Sequence, residues 1–68
     1  MNEPIELANV LTREMKDAGV SRAKVLSEAG VSRATFWRWM QNASHPRKAS
    51  VIAIRDAIQR LSSEVAEA

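Results

Sequence analysis

The chain has 68 residues, no cysteine, one histidine and a formal net charge of +2. This length allows a single domain, residues 1–68, of marginal expected stability, and the missing cysteines exclude a disulfide framework and a Cys-based zinc site. No apolar run approaches the ~18 residues needed to cross a bilayer, and residues 1–4 lack the basic start of a signal peptide, so we expect a cytoplasmic protein without a membrane partner.

The first predicted element is a helix over residues 4–18. Pro4 suits the first turn of a helix, where its missing N–H group would have no partner, and Asn2 or Glu3 is the expected capping residue. Apolar residues then recur at helical spacing, at Ile5, Ala8, Leu11 and Met15. We expect Gly19 to end this helix.

An internal repeat follows, because the hexapeptide AGVSRA at residues 18–23 recurs at residues 29–34. In each copy the glycine can adopt the left-handed conformation that ends a helix, and the valine supplies an apolar contact just beyond it. The serine can then cap the amide groups of the next helix. We therefore predict two tight corners, with one short helix over residues 22–29 between them and another over residues 33–41 after them.

Residues 42–46 form a third predicted break, because this turn-forming cluster ends in Pro46, which disfavours helix in the residue before it. A fourth helix is predicted over residues 48–61 or beyond, from an apolar stripe of Val51, Ile54, Ile58 and Leu61. The tail, residues 62–68, is expected either to extend this helix or to fray. With no strand pattern in the sequence, we predict a compact all-α domain of four, or at most five, helices.

Positive charge is concentrated in one part of the sequence. From residue 21 to residue 48, six basic residues accompany a single acidic residue, Glu28, which gives a net charge of +5, whereas the remaining residues carry −3. The six are Arg22, Lys24, Arg33, Arg38, Arg47 and Lys48. Such asymmetry is typical of a surface that binds a polyanion, and a solvated basic face without a partner is the alternative.

The second and third predicted helices together describe a helix-turn-helix over about residues 22–41. One apolar face of the second helix contains Val25, Leu26 and Ala29. On the third helix Phe36 and Trp39 form the matching face, with Met40 beside them, and Val31 in the corner can fill the space between the helices. Because this packing covers only one face of the third helix, we expect its other face to project into solvent.

The projecting face has a composition suited to reading DNA bases. Its residues follow helical spacing and are Arg33, Ala34, Trp37, Arg38 and Gln41. Arginine can donate two hydrogen bonds to guanine, glutamine can bond adenine in a similar way, and alanine can contact the methyl group of thymine. Residues at helix starts or just past the turn are candidates for contacts with phosphate: Ser21, Arg22, Ser32, Arg47 and Lys48.

The segment from Val25 to Trp39, VLSEAGVSRATFWRW, resembles the helix-turn-helix of the Cro and phage-repressor family, also called lambda-repressor-like or XRE-type. Pro46 and the apolar residues of the fourth helix are similar to the helix that closes that fold, so the resemblance covers about residues 5–61. It implies sequence-specific binding of double-stranded DNA, as a homodimer on a palindromic operator. It also implies a transcriptional regulator, commonly a repressor, of phage or bacterial type and associated with the nucleoid.

Two features of the sequence leave alternatives open. Trp37 can pack against the loop or the fourth helix, contact DNA, or lie in a dimer surface. Ile52 and Ala53 lie off the main stripe of the fourth helix and can form a dimer seam or another apolar contact surface. The alternative function is therefore a helical protein-interaction module without DNA binding, which a weak dependence on salt would distinguish from DNA binding.

Catalysis is not expected from this sequence. His45, beside Pro46, is interpreted as a turn residue that can at most touch a phosphate, and no Ser/His/Asp or Cys/His set can be assembled around it. Gly19 and Gly30 stand alone at helix ends rather than in a glycine-rich phosphate loop. We expect no catalytic residue, no metal, no cofactor and no small-molecule ligand.

Overall fold

The computed structural model describes the backbone of residues 3–67 and the side chains of residues 3–64. Its helices, in chain order, are α1 (Pro4–Ala18), α2 (Arg22–Ala29), α3 (Arg33–Met40) and α4 (Lys48–Glu67). Residues 3–67 contain no strand, so the prediction of an all-α, four-helix domain is confirmed. The bounds of α1 and α2 are as predicted, and α4 extends beyond residue 61, as the prediction allowed. α3 ends one residue earlier than predicted.

Each of the first three helices is followed, within two residues of its end, by a residue with left-handed backbone geometry. These residues are Gly19 (φ 72°), Gly30 (φ 74°) and Asn42 (φ 60°). In each case the amide of the following residue donates to a carbonyl in the last helical turn: Val20 to Met15 (3.1 Å), Val31 to Leu26 (3.0 Å) and Ala43 to Arg38 (2.8 Å). The two corners predicted from the glycines are confirmed, and Asn42 forms a third because asparagine tolerates this conformation better than most residues.

The serines of the repeat cap the two central helices. The amide of Lys24 donates to Oγ of Ser21 (3.1 Å), and the amide of Thr35 donates to Oγ of Ser32 (3.0 Å). Both bonds satisfy N–H groups that have no partner within the helix itself. The predicted capping role of both serines is therefore confirmed.

The start of α1 is held by a distant residue. Asn42 accepts a hydrogen bond at Oδ1 from the amide of Ile5 (2.9 Å) and donates from Nδ2 to Oε2 of Glu3 (2.9 Å). Glu3 is the N-cap of α1, and its own amide donates to Oε1 of Glu6 (3.1 Å); the alternative cap, Asn2, lies outside the described residues. The end of α3 is therefore tied to the beginning of α1.

One hydrophobic core joins all four helices. Its buried residues are Ala8, Leu11, Met15, Val25, Leu26, Phe36, Trp39, Ile54, Ala57, Ile58 and Leu61. α1 packs against the other three helices, and α4 packs against both α1 and α2. Phe36 and Trp39 are both 2% exposed, and the ring centroids of this pair lie 5.5 Å apart. The predicted inward face of α3 is confirmed, and it anchors this short helix to the rest of the fold.

α4 is the longest helix, with 20 residues. It continues through most of the predicted tail, over residues 62–67, and Ala68 lies outside the described residues. Ile54 faces the core, whereas Ile52 is 58% exposed and Ala53 is partly buried. Within the described part of the chain, no helix combines the length and apolar character that crossing a bilayer requires.

Candidate nucleic-acid interface

The outward face of α3 consists of the residues predicted to read bases. All five are exposed: Arg33, Ala34, Trp37, Arg38 and Gln41. Successive residues of a helix are rotated by about 100°, which places Ala34 and Gln41 opposite the buried Phe36 and Trp39. On the same geometry Trp37 lies toward one flank of this face and Arg38 toward the other. The helix therefore presents two cations, an indole and an amide to solvent.

The C-terminal end of this face differs from the prediction. Gln41 is not the last residue of the helix but its C-cap, with φ −93° and ψ 4°. The helix stops at Met40 because Asn42 turns the backbone into the left-handed region and closes the corner. Gln41 keeps an exposed side chain, so it remains at the edge of the candidate surface.

Trp37 is 61% exposed. This exposure rules out the first of its three predicted roles, which was packing against the loop or α4. Contact with DNA and a place in a dimer surface remain. Trp39, on the other side of the same helix, is 2% exposed, so the two tryptophans of the chain lie in opposite environments.

One flank of α3 is a groove of about 470 Å³ between α2 and α3, which we call the α2–α3 groove. Predicted site residues and apolar residues both line it: Arg22, Arg33, Ala34 and Trp37 in the first group, and Ala23, Leu26, Phe36 and Met40 in the second. This groove therefore combines positive charge with apolar walls.

Arg22 is held against α3 rather than extended into solvent. Its Cζ atom lies 5.8 Å from the centroid of the Phe36 ring, and its Nη1 atom lies 3.9 Å from Sδ of Met40. A cation over an aromatic face at an exposed site contributes about 0.5–1 kcal/mol. The contact fixes a positive charge in the lining of the α2–α3 groove.

The other flank of α3 is a groove of about 550 Å³ between α3 and the loop that leads into α4, which we call the α3–loop groove. Ser32, Arg38 and Arg47, all predicted site residues, line it together with His45. Nη2 of Arg38 donates to Oγ1 of Thr35 (3.3 Å), and Oγ of Ser32 donates to the same oxygen (2.8 Å). These bonds draw the Arg38 guanidinium toward the N-terminal end of α3, where backbone N–H groups favour an anion.

Three of the predicted site residues line neither groove. Ser21 caps α2, Gln41 caps the end of α3, and Lys48 is the exposed first residue of α4. The structure therefore gathers the other seven predicted residues on the two flanks of α3.

Among the residues that line the α3–loop groove but were not in the sequence-based set, Thr35 and His45 bear most directly on the site. Thr35 orients Arg38, and its spacing of three residues from both Ser32 and Arg38 could have indicated one side of a helix. His45 was interpreted as a turn residue, and it lies beside Arg47 in the lining of the groove. Only the path of the loop brings it there, and the sequence pattern does not specify that path.

The cations on the two flanks of α3 are not neutralised within the described part of the chain. All ion pairs among residues 3–64 involve arginines of α4: Arg55 with Glu14 (3.0 Å), and Arg60 with Glu28 (3.5 Å) and with Asp56 (3.4 Å). The single acid of the basic segment, Glu28, is therefore paired with α4. The charge on the flanks of α3 stays available for an external anion.

Within residues 3–64, no group of three or more histidine, cysteine, aspartate or glutamate side chains could hold a metal ion. The available chemistry is that of cations, hydroxyl groups and exposed apolar atoms. Comparison of the chain with protein-family models, with curated proteins and with solved structures gave no match.

Proposed function

We propose that the protein binds double-stranded DNA in a sequence-specific manner, with α3 in the major groove, and acts as a transcriptional regulator, as a repressor. One observation carries the proposal: α3 buries Phe36 and Trp39 while its polar and charged residues stay exposed on the opposite side. A single α-helix fits the major groove, where every base pair presents a distinct pattern of donors and acceptors. Arg33, Arg38 and Gln41 supply side chains of the types that bond guanine and adenine.

The two flanks of α3 support the same proposal. The phosphates of both strands border the major groove, so a helix that enters it needs cations on either side. Arg22 lines the α2–α3 groove and Arg47 lines the α3–loop groove. We assign both of them to phosphate contacts, which fix the position of α3 and read no sequence.

A homodimer completes the proposal. One α3 covers a few base pairs, whereas two copies related by a two-fold axis would read half-sites about one DNA turn apart on a palindromic operator. Ile52, which is 58% exposed on α4, and the neighbouring Ala53 form the proposed dimer seam. An isoleucine with this exposure gains about 25 cal/mol for each Å² of apolar surface that a partner covers.

The test is selection of bound sequences from a random duplex library, followed by fluorescence anisotropy with the selected duplex at several salt concentrations. We expect a two-fold symmetric consensus. The logarithm of the association constant should fall steeply with the logarithm of salt concentration, by about 0.9 for each phosphate neutralised. A flat salt dependence, or no enriched sequence, would favour a helical protein-interaction module instead.

Substitutions separate base contacts from phosphate contacts in the same assay. Arg33→Ala or Gln41→Ala should weaken binding of the selected duplex by about 1–3 kcal/mol and relax the preference at one base position. Arg22→Ala or Arg47→Ala should weaken all duplexes evenly and reduce the salt slope by about one. If both kinds of substitution lower the affinity for random duplexes equally, the assigned roles are wrong.

A further inference from the structure

The α2–α3 groove has a composition that phosphate contacts alone do not explain. Trp37 is 61% exposed at its edge. Ala34 and Met40 add apolar surface to the lining, yet Arg22 and Arg33 belong to the same groove. An occupant that fits must therefore present an apolar group and negative charge close together.

A second copy of the chain is a poor occupant of this groove. In a two-fold dimer the same surface patch occurs on both subunits. A contact centred on Trp37 would therefore bring Arg22 and Arg33 of one subunit toward the same two arginines of the other. Neither arginine is in an ion pair within residues 3–64, so four positive charges would approach one another and repel.

Thymine in a DNA duplex meets both requirements. Its 5-methyl group is the one apolar group that the bases display in the major groove, and phosphates lie alongside it. We infer that the α2–α3 groove is a thymine-specific part of the interface, in which Trp37 and Ala34 contact the methyl group and Arg22 contacts the adjacent phosphate. This inference rests on the proposed DNA binding, and it makes Trp37 a specificity-determining residue.

Replacing thymine by uracil tests this inference directly. The change removes only the methyl group and leaves base pairing, charge and the hydrogen-bonding groups of the base in place. Covering one methyl group with apolar protein atoms strengthens binding about three- to fourfold. We therefore expect the affinity to fall about three- to fourfold when uracil replaces a thymine that Trp37 contacts. Replacing a thymine outside the groove should leave the affinity unchanged.

The experiment measures dissociation constants by anisotropy for the selected duplex and for versions with uracil at each thymine in turn. Three proteins are compared: the wild type, Trp37→Ala, and Val10→Ala as the control. Val10 is 46% exposed on α1 and lines neither groove beside α3, so the control removes exposed apolar surface elsewhere. The wild type and Val10→Ala should lose affinity when uracil replaces thymine at one or two positions per half-site. Trp37→Ala should bind the thymine duplex more weakly and show a smaller loss of affinity on replacement by uracil, since Ala34 still contacts the methyl group.

Two outcomes overturn this inference while DNA binding itself stands. The first is equal binding of thymine and uracil duplexes by the wild type at every position. The second is a loss of affinity on replacement of thymine by uracil that is the same in Trp37→Ala as in the wild type. This result overturns the inference whether or not sedimentation equilibrium shows that Trp37→Ala dissociates a dimer. Failure of the wild type to bind any duplex, even at low salt, is distinguishable from both and overturns the proposed function as well.

Discussion

The arginines of α4 and those around α3 have opposite surroundings. On α4, Arg55 donates from Nε and Nη2 to both carboxylate oxygens of Glu14 (3.2 and 3.0 Å), and Arg60 contacts Glu28 and Asp56. On α3, the one hydrogen bond that the described residues show for an arginine runs from Arg38 to a threonine hydroxyl. The same residue type therefore connects helices in one region and remains available to a partner in the other.

This difference shows why the net charge of the chain is a poor guide to its surface. The overall value of +2 is a sum over two different regions. In one region the charges form internal ion pairs, and in the other they do not. Exposed pairs such as Arg55–Glu14 contribute only about 0–1 kcal/mol to stability. Their main consequence here is that acidic side chains are occupied on α1, α2 and α4, away from the outward face of α3.

The largest expected effect comes from removing the packing that supports α3. Phe36→Ala should lower the free energy of unfolding by about 3–5 kcal/mol, because it opens a cavity beneath the helix and removes the ring beneath Arg22. A domain of this size has little stability to lose. Urea denaturation followed by circular dichroism measures the change. A loss below about 1 kcal/mol would show that the two regions do not share one cooperative core.

A matched pair of arginine substitutions tests the comparison itself. Arg38→Ala should weaken binding of the selected duplex by about 1–3 kcal/mol, because its charge has no internal partner among the described residues. Arg55→Ala removes the same charge from the chain, and it should change DNA affinity by less than twofold. Anisotropy at one salt concentration measures both. Equal losses would mean that total charge, and not its position, determines binding.

The smaller of the two expected effects on stability concerns the corner that ends α3. Asn42→Ala should destabilise the fold by about 1–2 kcal/mol, because alanine is strained at φ 60° and both side-chain bonds to the start of α1 are lost. Asn42→Gly is the matched control, since glycine tolerates the backbone conformation and loses only the two bonds. In urea titrations, the free energy of unfolding of Asn42→Gly should lie between that of Asn42→Ala and that of the wild type. An alanine variant as stable as the glycine variant would contradict the backbone explanation.

The helices and the inward face of α3 could be predicted from the sequence because local signals specify them. A glycine, a valine and a serine in succession end one helix and start the next, and Phe36 and Trp39 share one side of a turn. The contact between Asn42 and Ile5 could not be predicted, since it joins residues 37 positions apart. The same holds for Arg22 above Phe36, which depends on how α2 and α3 pack. Five of the predicted site residues followed from helical spacing and five from their position at helix starts or just past the turn. The division of seven of them between two grooves required the fold.

The double anchoring of α3 has a consequence for the thermodynamics of recognition. A helix of eight residues is too short to persist by itself in water. Here Ser32 fixes its first turn, and Asn42 ties its last corner to the start of α1. A disordered segment loses conformational entropy when it binds its partner. In α3 this entropy has already been lost during folding. Association would then proceed without a coupled ordering step, and the free and bound forms would have the same helical content.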